Sequence, residues 1–160
     1  MRWPAFFMES SVLVRTLAER RPSWTLVLAG PVEEDRLPSA VTRLANVIFT
    51  GSVPYDQSRG WMRSFDVAII PHLQAGMTES MNPLKIYNYL AAGVPVVTTA
   101  VANIEDVADL VSVAHNADDF IEAIEARLAV PRADVPRERL EGFSWEHRVS
   151  QMLELLGRVL

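Results

Sequence analysis

The chain has 160 residues, of which 49% are hydrophobic and 22% charged, a balance typical of soluble globular proteins that excludes long disordered stretches. Its formal net charge of −5 argues against nucleic acid as a partner, because binding to a phosphate backbone needs clustered Lys and Arg. The absence of cysteine excludes disulfides, zinc-thiolate sites and thiol nucleophiles.

Helical and strand patterns alternate along the chain. Apolar residues recur at helical spacing in four segments, 11–18, 55–65, 83–92 and 118–128. Short β-branched runs predict five strands, at 25–29, 46–50, 66–70, 95–99 and 110–114. These runs are apolar on both faces, as in parallel strands that helices cover on both sides. We therefore predict an α/β fold: a doubly wound, Rossmann-like parallel sheet with helices on both faces.

The C-terminal part of the chain differs from the rest. Pro131 and Pro136 mark a linker, and Ser144 is placed to cap a closing helix over residues 144–159. The apolar side of that helix comprises Trp145, Val149, Met152, Leu153, Leu156 and Val159. We expect a Rossmann-like domain over residues 1–130, and a linker with a helix packing on the same domain over residues 131–160.

Lys85, the only lysine in the chain, lies where a helix is predicted to begin. Asn82 is a preferred N-cap, Pro83 suits the first helical position, and Gly93 is predicted to end the helix. A cation in the first turn opposes the helix dipole unless an anion lies between them. Free backbone N–H groups and an ammonium at one point therefore predict a phosphate site. The alternative is a solvated surface lysine.

The segment between the third predicted strand and this helix is long, about a dozen residues where two to six are usual, which is typical of functional loops. Ligands bind beyond the carboxyl ends of the strands in such a sheet. The segment offers Gly76 as a turning residue and Thr78, Ser80 and Asn82 as small polar groups. Asn88 shares a helical face with Lys85, so it is placed for a sugar hydroxyl beside the phosphate.

Segments 49–54, 66–71 and 82–97 together resemble the C-terminal, donor-binding half of retaining GT-B glycosyltransferases of the glycosyl transferases group 1 type. The likeness covers nearly the whole chain and is most specific over 83–97. It implies a nucleotide-sugar donor bound by the domain over residues 1–130, a hexosyltransferase type of activity toward an unknown acceptor, and no metal or other cofactor. It also implies that the nucleotide base lies near Val53, Pro54 and Tyr55. The catalytic residues stay unknown.

The resemblance is incomplete at two acidic positions. In the family, two carboxylates spaced E-x7-E bracket the start of the helix, the first contacting the donor sugar and the second the ribose. Counting back from Gly93 places Ser80 at the first position, with Glu79 one residue out of register, and Asn88 at the second. A branch of the family with the N-P-x-K pattern often lacks the first carboxylate, so Asn88 is the more consequential departure.

The resemblance also implies missing parts. The family's donor domain opens with a central strand and a glycine loop ahead of the helix that begins near Glu9, and an acceptor-binding N-terminal domain precedes it; neither matches this sequence. We therefore expect a fragment that is inactive alone, whose partner is the missing acceptor domain, and which self-associates through exposed sheet edges. The apolar runs are too short to span a bilayer, so a cytoplasmic location is expected, with peripheral membrane association of the full-length enzyme.

Two alternatives remain open at the level of sequence. One is a non-catalytic, donor-like module that pairs with an active subunit, which the departure at Asn88 favours. The other is a nucleotide-sugar epimerase, which shares the fold but needs catalytic carboxylates and a cleft histidine, a role that only His72 could fill.

Overall fold

The computed structural model describes residues 6–31, 38–71, 84–100 and 103–157, with residues 6–10 described as backbone only. Helices and strands alternate through this part of the chain, which confirms the predicted α/β class. The helices are α1 (Phe6–Arg20), α2 (Ser39–Thr42), α3 (Tyr55–Ser64), α4 (Lys85–Ala91), α5 (Ala117–Leu128), α6 (Arg137–Gly142) and α7 (Trp145–Gly157). The strands are β1 (Leu26–Ala29), β2 (Val47–Gly51), β3 (Ala68–Ile70), β4 (Val96–Thr99) and β5 (Val111–Ala114), and Glu105–Val107 form a 3₁₀ turn.

All five predicted strands are present, and every strand pair is parallel. Within the described ranges the strands hydrogen-bond as two sheets, one of β1 and β2 and one in the order β3-β4-β5. The central strand β4 is covered on both faces, since Val96, Val97 and Thr98 are all buried. The β1 residues, by contrast, are only half-buried or exposed. Apolar runs therefore identified the strands, while the division into two sheets was not visible in them.

One hydrophobic cluster spans both sheets. Its buried residues come from α1 and α5 and from the second sheet, and Leu26 of β1 packs against it from the first sheet, together with Ile69 of β3. Phe120 of α5 is fully buried in it, a burial that contributes about 1.5–3 kcal/mol. The cluster's buried members are Leu17, Val97, Ala114, Phe120, Ile121 and Ile124.

A second cluster holds α4 against the three-stranded sheet. Ile86 and Leu90 lie one helical turn apart, so they share a face, and both are buried among residues of β3 and β4. This packing fixes which side of α4 meets solvent. Lys85 and Asn88 lie on that exposed side.

Helix starts follow two different rules. Asn116 and Ser144 cap α5 and α7 with side-chain oxygens that accept hydrogen bonds from Asp119 N–H (3.0 Å) and His147 N–H (3.1 Å), which confirms Ser144 as a cap. Proline instead precedes α2, α3 and α6. The short helices α2 and α6 were not predicted, because four and six residues are too few to show a helical period.

The C-terminal end of α4 is a Schellman motif. Gly93 has a φ of +72° and donates its N–H to Leu90 O, while Val94 N–H donates to Tyr89 O, both at 3.0 Å. Val94 is buried beside Tyr89 in the same cluster, which supplies the apolar contact typical of the motif. Gly93 therefore ends the helix, as predicted.

Gly93→Ala should lower the free energy of unfolding by about 1–2 kcal/mol, because a Cβ is disfavoured at positive φ. The added Cβ would also lie 3.0 Å from Asp134 Oδ1, although that carboxylate is exposed and can move. Urea unfolding of both proteins measures the difference. Gly60→Ala in α3 is the control: its Cβ meets nothing within 4 Å, so we expect a gain of roughly 0.5–1 kcal/mol. Equal losses for the two variants would contradict the role of φ.

Candidate functional site

The structure describes two of the predicted binding groups. Lys85 and Asn88 lie together on α4, and Val53, Pro54 and Tyr55 lie together between β2 and α3. No hydrogen bond or ion pair within the described ranges joins the two groups. The other predicted donor-site residues lie outside the described residues, as does His72: these are Gly76, Thr78, Glu79, Ser80, Asn82 and Pro83.

The N-terminal end of α4 has the features that a bound anion would complement. The helix begins at Lys85, and Leu84 before it already has helical dihedral angles and accepts a hydrogen bond from Asn88 N–H (3.3 Å). No side chain of the described residues caps this end, and the first turn has no acidic residue; Asn82, the predicted N-cap, lies outside the described residues. Among the described residues, none forms an ion pair with the exposed Lys85. The positive charge and the dipole therefore lack a neutralising group in this part of the chain.

The segment after β2 presents an aromatic ring to solvent. Gly51 ends the strand with a φ of +67°, and Pro54 immediately precedes α3. Tyr55 is 94% exposed, whereas Val53 is half-buried. A ring in this position can stack on a flat ligand, and the Val53 and Tyr55 backbones supply hydrogen-bonding groups that a base can use.

A network around Asp106 ties α4 to the C-terminal segment. Tyr87 Oη donates to both carboxylate oxygens of Asp106 (3.0 and 3.1 Å), and Arg148 of α7 approaches the same carboxylate at 3.2 Å. The Tyr87 ring packs on Phe143, with centroids 5.2 Å apart. The helix that carries Lys85 and Asn88 is therefore held through Tyr87, in its first turn, by side chains from later in the chain.

Arg139 of α6 strengthens the same connection. It makes two hydrogen bonds to Asp109, both 2.9 Å, and a third to the Asp106 carbonyl (3.1 Å). These hydrogen bonds hold the pKa of the Asp109 carboxyl below its usual value. Sequence analysis missed the Asp106 and Asp109 contacts, because their partners lie some 20 to 40 residues away and no local pattern joins them.

Comparison with known proteins establishes the class. From residue 5 to residue 129 the chain matches the family model described as glycosyl transferases group 1. The chain therefore belongs to this family of glycosyltransferases, and the resemblance seen in the sequence is confirmed.

Two relatives illustrate the likeness. A Bacillus subtilis (strain 168) protein named as a teichuronic acid biosynthesis glycosyltransferase, TuaH, is 34% identical over 89 residues, covering 54% of this chain and 22% of that protein. The crystal structure of AviGT4, a glycosyltransferase involved in avilamycin A biosynthesis, superposes with a TM-score of 0.66 at 19% identity, covering 92% of this chain and 47% of that one. The chain thus spans less than half the length of either relative, and the structural match supports the fold.

Within the described part of the chain, no helix combines the length and the apolar content that crossing a bilayer requires.

Proposed function

We propose that this chain is the donor-binding part of a glycosyltransferase that transfers a sugar from a nucleotide-sugar to an acceptor. The observation that carries the proposal is the exposed side of α4, where Lys85 and Asn88 lie together at the N-terminal end of the helix and no described residue forms an ion pair with Lys85. The family of the chain supports a nucleotide-sugar as the ligand. The opposite side of the same helix is locked in the core by Ile86 and Leu90, so the polar side is held in place.

In the proposed site, Lys85 and the N-terminal end of α4 bind the donor diphosphate. Breaking the bond between sugar and diphosphate places additional negative charge on the leaving phosphate. A fixed ammonium and a helix dipole stabilise that charge more in the transition state than in the bound donor, which is how they would speed transfer. Asn88, on the same exposed side, hydrogen-bonds the ribose, and the Val53–Tyr55 segment holds the base. The scheme uses no metal ion.

The second candidate is a non-catalytic, donor-like module that pairs with an active subunit. The observation that favours it is Asn88, which offers a neutral amide where the family has a carboxylate. The two candidates differ in one measurable property, the binding of nucleoside diphosphates by this chain.

Lys85→Ala should weaken nucleoside-diphosphate binding roughly ten- to a hundred-fold, because removing one charge-assisted contact costs about 1.5–3 kcal/mol. Titration calorimetry with UDP and with GDP measures the change. Lys85→Arg should restore only part of the affinity, since a guanidinium is larger than the ammonium it replaces.

Arg43→Ala removes an equal charge from another exposed position, outside the candidate site, and serves as the matched control. It should leave the affinity within about two-fold, since Arg43 precedes β2 whereas Val53–Tyr55 follow that strand, and solvent and salt screen exposed charges that do not contact the ligand. If the Lys85→Ala and Arg43→Ala variants both bind nucleoside diphosphates as tightly as the parent, the prediction of a phosphate site at α4 is wrong.

Asn88→Glu should tighten nucleoside-diphosphate binding by about 1–2 kcal/mol, because a carboxylate offers the ribose hydroxyls two charged acceptor oxygens instead of one neutral oxygen. The new charge is attracted to Lys85 and the helix dipole but repelled by the diphosphate. We expect the hydroxyl contact to dominate, since the ribose lies between the carboxylate and the phosphates.

The 2′,3′-dideoxy nucleotide is the control ligand for Asn88→Glu. Tighter binding that disappears with the dideoxy ligand supports a working ribose contact. Absence of binding in the parent and in every variant would instead favour the non-catalytic module.

We expect the isolated chain to transfer no sugar, because it corresponds to 47% of the AviGT4 chain and its acceptor partner would lie in the remainder. The assay incubates it with UDP-glucose or GDP-mannose and simple aryl glycosides, and follows nucleoside-diphosphate release chromatographically. Formation of a new glycoside by the chain alone would refute this expectation.

A further inference from the structure

Tyr87 lies in the first turn of α4, between Lys85 and Asn88 in sequence. Because successive residues of an α-helix are rotated by about 100°, Tyr87 projects away from Lys85. It lies on a flank of the buried side, where its ring packs against the cluster that contains Ile86 and Leu90. Tyr87 is therefore placed to hold the backbone of this turn without competing for a ligand of Lys85 and Asn88.

The first turn has little support from the helix itself. Helix α4 has seven residues, and a helix of this length is unstable on its own in water. The hydrogen bond from Asn88 N–H to Leu84 O is long, at 3.3 Å, and no described residue caps this end with its side chain. Ile86 and Leu90 fix which side of the helix meets the core, but the ends of helices fray. A contact from outside the helix is needed to keep the turn ordered.

The Tyr87 hydroxyl makes such a contact with Asp106. It lies 3.0 and 3.1 Å from the two carboxylate oxygens, and hydrogen bonds to a charged acceptor are roughly twice as strong as neutral ones. Contact with both oxygens restricts the position of the hydroxyl more than contact with one. The Tyr87 ring is held as well, because it packs on Phe143 with 5.2 Å between the centroids.

Asp106 is itself held by several neighbours. Arg148 approaches its carboxylate at 3.2 Å, and Arg139 donates to its backbone carbonyl at 3.1 Å. Val107, the next residue, is fully buried in the same cluster as Ile86. The carboxylate therefore stays in place when the end of α4 fluctuates, and it can serve as an anchor for that end.

We propose that Tyr87 and Asp106 are positioning residues of the donor site. Their hydrogen bond holds the first turn of α4 in the conformation in which Lys85 reaches the diphosphate and Asn88 reaches the ribose, and neither of the two residues contacts the donor. The proposal rests on the proposed function of α4. Without the bond the turn is ordered for a smaller fraction of the time, and the apparent dissociation constant rises as the inverse of that fraction.

Tyr87→Phe tests the proposal, because it removes the hydroxyl and keeps the ring that packs on Phe143. Titration calorimetry with UDP and with GDP should show affinity weakened roughly three- to ten-fold. Tyr89→Phe is the matched control: it is the same substitution in the same helix, at a partly buried ring whose hydroxyl no described residue hydrogen-bonds. It should change the affinity by less than about two-fold.

Substitutions of Asp106 test the other partner of the bond. Asp106→Asn keeps an oxygen that accepts from the Tyr87 hydroxyl, so it should weaken binding less than Asp106→Ala does. The double variant Tyr87→Phe/Asp106→Ala should bind no more weakly than Asp106→Ala alone, because both changes remove the same hydrogen bond. A role confined to stability would lower the free energy of unfolding without this pattern in the affinity of the folded protein.

Hydrogen exchange measures the order of the first turn without any ligand. The Asn88 N–H reports on this turn through its bond to Leu84 O, and the Ala92 N–H, bonded to Asn88 O at 3.1 Å, reports on the C-terminal end of the helix. Tyr87→Phe should lower the protection of the Asn88 amide at least about three-fold more than that of the Ala92 amide, and Tyr89→Phe should lower neither.

The outcomes separate the positioning role from the proposed function. If the parent binds nucleoside diphosphates and the Tyr87→Phe and Tyr89→Phe variants have equal affinities, the positioning role is wrong and the proposed function stands. Equal protection of the Asn88 amide in these two variants also overturns the positioning role. A parent that binds neither UDP nor GDP overturns the proposed function, and the positioning role with it.

Discussion

The burial of one side of α4 is the constraint on which the proposed site depends. Ile86 and Leu90 reach into the core between β3 and β4, and both are almost completely removed from water. Burying two such side chains contributes several kcal/mol, far more than any single contact of Lys85 or Asn88 in solvent. The helix therefore cannot rotate to hide its polar side. Whatever Lys85 and Asn88 bind, the core decides the direction in which they face.

Both ends of α4 are adapted to this role in different ways. At its C-terminal end, Gly93 satisfies the last carbonyls through a Schellman motif and turns the chain into β4. At its N-terminal end no described residue provides a side-chain cap. The free N–H groups of the first turn and the Lys85 ammonium therefore lie at the same end of the helix, which is where an anion would bind.

The C-terminal segment contributes to the site without being part of it. Asp106 accepts hydrogen bonds from Tyr87 of α4 and from Arg148 of α7, so a displacement of α7 would be felt at the helix that carries Lys85. Arg139 reinforces the position of the Asp106 backbone.

The sequence alone determined the five strands, the closing helix with its Ser144 cap, the end of α4 at Gly93 and the family. Each rests on a local pattern, since apolar runs, capping residues and glycine conformations act over a few neighbouring residues. It also placed Lys85 and Asn88 on one helical face, because helical periodicity alone requires it. The short helix α6 escaped prediction because six residues after a proline carry too little periodicity.

Only the tertiary structure decided which side of α4 is buried, that the described strands pair as two sheets, and that no described residue covers the apolar side of α7. The pattern of Trp145, Val149, Met152 and Leu156 identifies an apolar face but does not show whether the described part of the chain covers it, and the structure leaves these side chains exposed. The contacts of Asp106 with Tyr87 and Arg148 likewise join segments that no local rule relates. Packing between distant segments is a property of the whole chain, and it is there that local patterns lose their predictive power.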